Sequence, residues 1–185
     1  YEFLLFVHIS ASIIWIVAGF LMLVLGLRAD RTGDEAGIKR LLDDNTWLAT
    51  RLFIPASLTV VVAGVLLTID GPWEFDQLWV VLGLLGYAAT FFTGVAILRP
   101  RGDAIAAAIE RDGGMTPASL ADARRLLALA RIDYVVLVLV VASMTLKPTG
   151  DDVGLLVAMA LVLAAGLAWA LTAAQAVRTP GEAPA

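Results

Sequence analysis

Of 185 residues, 60% carry apolar side chains and 16% are charged, with a formal charge of −4; an ordinary soluble domain is nearer half apolar and a quarter charged. One small domain has too little interior to hide that much apolar surface from water, which excludes a soluble enzyme, a nucleic-acid binder and a disordered chain. With no cysteine there is no disulfide, thiolate metal site or cysteine nucleophile.

Five apolar runs follow one another, at residues 3–27, 52–69, 78–98, 126–146 and 153–177. A hydrocarbon core of ~30 Å needs about 20 helical residues, and each run is near that length. Helices are the expected form, because hydrocarbon leaves no partner for an exposed peptide group. The alternating short segments of a transmembrane barrel are absent. The first run lacks a basic leader and a small-residue cleavage pattern, so it reads as a true span and not a secretory signal.

The predicted fold class is therefore all-α. It is a polytopic membrane bundle of five transmembrane helices in a single domain over 1–177, with a disordered tail at 178–185. Arg28, Arg31, Lys39, Arg40 and Arg51 lie between spans one and two. Arg99, Arg101, Arg111, Arg124, Arg125 and Arg131 lie between spans three and four or just inside the latter, and Arg178 follows span five. Lys147 alone stands on the other side. The positive-inside rule then puts the N-terminus out and the C-terminus in, the expected setting being the bacterial plasma membrane. The outer side also carries Glu2, Asp70, Glu74, Asp76, Asp151 and Asp152. These read either as a cation-attracting mouth or as ordinary loops poor in bases.

The outer loops are short, so neighbouring spans pack antiparallel. The inner segments are longer and predicted helical. Residues 34–48 segregate Ile38, Leu41, Leu42 and Leu48 from Lys39, Arg40, Asp43 and Asp44. Thr116-Pro117 has the form of an N-cap and first helical position, and a helix from there runs through Arg124 and Arg125 into span four. These basic amphipathic pieces suit either an anionic lipid surface or a partner subunit. Pro55 is expected to kink span two or to mark its first turn.

His8 is the only histidine, and it lies within span one. It shares a helical stripe with Ser12, Trp15, Gly19, Met22 and Gly26, whose small members permit close helix approach, so it should face protein. An ionisable group inside a membrane is a functional candidate. His8 sits ~7.5 Å from the outer end of its span, Met159 ~9 Å and Met144 ~4.5 Å, all in the outer third. An imidazole with thioethers suits copper(I), and His with Met is also an axial pair for haem iron. The candidate metal ligands are thus His8, Met144 and Met159, and the candidate cofactor-binding residues are His8 and Lys147, for haem b or copper. Each has a plainer reading, as a histidine bonded across a helix pair and as methionines filling gaps. Arg131 and Asp133 are about 200° apart on one helix and cannot pair, so Asp133 is expected to pair across helices with Arg51 or Arg99.

Several stretches together resemble an uncharacterised bacterial family of predicted integral membrane proteins, a domain of unknown function. They are Leu5-Phe6-Val7-His8 with Trp15 and Gly19, Phe53-Ile54-Pro55-Ala56-Ser57, Gly71-Pro72-Trp73, Trp79 to Gly83, Arg131-Ile132-Asp133, and Met144 to Pro148. An early histidine followed by Trp and Gly is more distantly similar to the copper-resistance D-type membrane proteins and the membrane protoporphyrinogen oxidases. What that likeness implies is a haem-linked or copper-linked role for His8, with Lys147 the second correspondence. Two functions are carried forward. One is a membrane protein, more a binder than an enzyme, holding haem or copper at an outer site around His8. The other is a non-catalytic accessory subunit of a larger membrane assembly or a homo-oligomer. In both the lipid bilayer is a partner and nucleic acid is not.

Overall fold

A computed structural model describes residues 1–175. The end of span five at Val177 and the tail at 178–185, with Arg178, lie outside the described residues. The described residues form seven α-helices: α1 Glu2–Thr32, α2 Glu35–Leu48, α3 Ile54–Asp70, α4 Leu78–Thr93, α5 Arg99–Arg111, α6 Pro117–Leu146 and α7 Val153–Gln175. Among the described residues five helical stretches are long and apolar enough to cross a membrane, as the hydropathy predicts. Large apolar side chains point outward along them, among them Phe3 (75% exposed) and Phe92 (64% exposed). Such a surface is stable only with lipid as its solvent. "Inner" below denotes the side rich in Lys and Arg.

Spans two and three do not end where their apolar runs end. Each continues into an inner amphipathic helix through a widened turn of π-helix, Ala49–Phe53 between α2 and α3 and Gly94–Leu98 between α4 and α5. In each, the last amide reaches back five residues: Ile54 N–H donates to the Ala49 carbonyl, and Arg99 N–H to the Gly94 carbonyl. A proline follows at once, Pro55 or Pro100. Proline has no N–H for the carbonyl four residues back, and the widened turn absorbs that loss without breaking the helix. Pro55 thus sits in the first turn of α3, one of the two placements expected for it.

The inner helices have a use within the chain that the sequence reading did not weigh. α2 and α5 pack on each other and on the inner ends of α1 and α6, around a core of Ala29, Ile38, Leu42, Ile105, Ile109 and Ala123. Their buried apolar residues pack within the chain. Thr46 Oγ1 donates to Asp103 Oδ1 at 2.6 Å across the pair. α6 begins as predicted, with Thr116 as N-cap in a reciprocal capping box with Ser119 and Pro117 in the first turn.

Within the membrane, α1 lies along α3, and α4 along α6. α7 packs chiefly against α6, and is peripheral to the other four spans. The expected ion pair between Asp133 and Arg51 or Arg99 does not form. Among the described residues Asp133 has no basic group within ion-pair distance, and Arg99 turns to Asp103, one helical turn away, at 4.0 Å. Arg131 places its guanidinium 4.9 Å from the centre of the Trp169 ring on α7. The interhelical charge pair that does form joins Arg124 of α6 to Asp30 of α1 at 2.6 Å, nearer the aqueous end where both groups keep some hydration.

Candidate functional site

Small residues let the spans approach closely, and the side chains that fill those notches define an outer cleft. His8 of α1 lies over Gly64 of α3: a methyl group at position 64 would sit 3.1 Å from Cε1 of the ring. His8 Nδ1 stands 2.8 Å from the backbone carbonyl of Val60. A carbonyl can only accept, so Nδ1 carries the proton, and in the neutral ring it is Nε2 that keeps a lone pair. Ser12 Oγ donates to the His8 carbonyl at 2.7 Å, one turn along the same stripe. His8 thus faces protein, and the plainer reading of a histidine bonded across a helix pair accounts for Nδ1 though not for Nε2.

The cleft has a volume of about 480 Å³, and His8, Met144 and Lys147 all line it. Trp73, Trp79 and Tyr87 line it too, among aliphatic side chains of the four spans. Met144 of α6 drops into the notch left by Gly83 of α4, where its terminal methyl occupies the space of a missing side chain. One residue earlier, the buried Ser143 donates to the Trp79 carbonyl at 3.2 Å, which pins α6 to α4 beside the cleft. Lys147 follows the last turn of α6 with a left-handed backbone, φ 48° and ψ 56°, and its N–H caps the Ser143 carbonyl. That turn swings the side chain over two indoles, with Nζ 3.6 Å from the centre of the Trp73 ring and 5.3 Å from that of Trp79. Trp73 and Trp79 meet edge to face, 5.2 Å apart. Lys147 is therefore an ammonium held by π-faces at the rim.

Three of the four sequence-selected residues thus come together. Met159 does not: it stands on α7, which is not among the elements lining the cleft. Sequence reasoning passed over the Val60 carbonyl, Gly64 and the two indoles around Lys147. Gly71-Pro72-Trp73 and Lys147-Pro148 occupy the two short outer loops, and that shared depth was the one available signal for the indole cage.

A polytopic helical membrane protein with a polar-edged cleft on its outer side is the class these observations define. The chain belongs to the family described as predicted integral membrane protein (DUF2269), whose model matches residues 2–148. The match takes in the four spans that form the cleft and stops before α7. No curated protein and no solved structure matches the chain.

Proposed function

We propose that the outer cleft binds haem b, which His8 would hold through Nε2. The observation that carries this reading is the hydrogen bond from His8 Nδ1 to the Val60 carbonyl. Metal-ligating histidines commonly donate their second nitrogen to a carbonyl or carboxylate, which fixes tautomer and ring plane. The donor set suits haem better than a bare ion. Among the described residues no cluster of three or more His, Asp or Glu could hold a metal. Met144 is the one thioether beside His8 in the cleft. Copper(I) would have two protein donors at most, whereas a porphyrin brings four nitrogens of its own and asks the protein for one or two.

Bound haem supplies one-electron redox chemistry. His8 orients by its bond to Val60. Lys147 puts a positive charge at the rim, matched to a carboxylate. Trp73, Trp79 and Tyr87 form an apolar wall that excludes water. No residue is assigned a catalytic role.

The test is an absorption spectrum with metal analysis on protein extracted in detergent after growth with ample haem precursor. A Soret band in wild type, lost in His8→Ala and partly restored by added imidazole, is expected. A Soret band that survives His8→Ala overturns the reading. One copper per chain without a Soret band replaces it with the copper site.

A further inference from the structure

A second cleft of about 230 Å³ opens on the inner half of the bundle, and its chemistry differs from that of the outer one. Its walls are apolar and carry four aromatic side chains, Trp15, Phe53, Phe91 and Tyr134, one from each of four elements. Asp133 lines it as well, and makes no ion pair or hydrogen bond with any described residue. Arg99 is the other charged lining group, and is spoken for in part by Asp103. The lining side chains of α1, α2, α3 and α4 are all uncharged. Both widened turns border the cleft, through Phe53 and through Gly94 and Leu98. Turns of that kind recur at functional sites because they re-aim the side chains around them.

An unpaired carboxylate in hydrocarbon is costly, so it takes up either a proton or a cation. Aromatic faces attract a cation whose charge is spread and weakly hydrated, and repel an anion. A metal ion would draw on several anionic or carbonyl oxygens, and this cleft offers a single carboxylate beside the Asn45 amide and the neutral hydroxyls of Ser57, Thr90 and Tyr134. We propose that the inner cleft is a binding site for a hydrophobic organic cation, an alkyl or aryl ammonium or phosphonium, with Asp133 as counter-charge and the aromatic rings as its cage. Proton and ligand compete for the same carboxylate, so ligand affinity falls on acidification.

The probe is tetraphenylphosphonium, titrated into the full-length protein in neutral detergent micelles, with empty micelles as the blank. Saturable binding near one per chain is expected. Asp133→Asn should weaken it by about thirtyfold or more, the loss typical when one partner of a desolvated charge pair is removed. Trp15→Leu should weaken it several-fold. His8→Ala should leave it unchanged, which separates this site from the outer cleft. If Asp133→Asn does not fold, the wild-type protein decides alone: binding must weaken as pH is lowered, with proton release on binding over the range in which it weakens. Absence of saturable binding, equal binding by a folded Asp133→Asn, or wild-type binding that does not weaken on acidification overturns the proposal.

Discussion

His8 and Gly64 fit as ring and notch: the imidazole edge of α1 occupies the space a side chain at position 64 of α3 would need, 3.1 Å from Cε1 and 3.3 Å from Nδ1. That contact sets the distance between the two helices and holds Nδ1 against Val60. Gly64→Val drives a branched side chain into the ring. We expect a loss of about 1–3 kcal/mol of stability, the usual range for overpacking. A thermal melt in detergent checks it, with Gly64→Ala falling between the two.

Lys147 and Trp73 form the second link at the cleft. Lys147→Leu keeps the stem and removes the charge over the indole. A loss of about 0.5–1 kcal/mol is expected at so exposed a site. The indole emission of Trp73 and Trp79 should shift with it, and an unchanged spectrum would count against the cage.

Arg124 and Asp30 tie α6 to α1 at 2.6 Å, with side chains 41% and 23% exposed. Water screens a pair so placed, and its coupling should be no more than about 1 kcal/mol. A double-mutant cycle with Arg124→Ala and Asp30→Asn measures it. The coupling should shrink in high salt; a salt-independent value would mean the pair is drier than its exposure implies.

Asp152 receives hydrogen bonds from the Thr149 backbone N–H and hydroxyl, both at 2.8 Å. These hold its carboxyl below the usual carboxylate range. A depressed acid contributes order that is fully present above its unfolded value, about pH 4, and is lost as pH falls through the lower folded one. Amide exchange in the 147–152 loop should therefore be steady from pH 8 to 5, once corrected for intrinsic rates, and lose protection only below about pH 4. In Asp152→Asn that acid step should vanish.

Much of this was legible in one dimension. Apolar runs too long and too continuous for water announce lipid as the solvent, and the one-sided Lys and Arg mark which ends of the spans lie together. The Thr116-Pro117 signal marks the start of α6 because capping is a local hydrogen-bond requirement. The stripe from His8 to Gly26 showed which way the imidazole faces, since small residues at helical spacing mark a packing face.

What only the tertiary structure decided is which side chains meet across helices. Met144 finds the Gly83 notch and lines the cleft, whereas Met159, at similar depth, is carried away on α7. Asp133 has no ion-pair partner among the described residues, and the pair that ties α6 to α1 joins Arg124 to Asp30 instead, because the rotation of each helix fixes where its charges point. Hydropathy and periodicity are properties of one segment at a time; they set each helix's depth and inward face. The meeting of faces depends on crossing and register between segments, and those emerge only when the notches on one helix are filled by another.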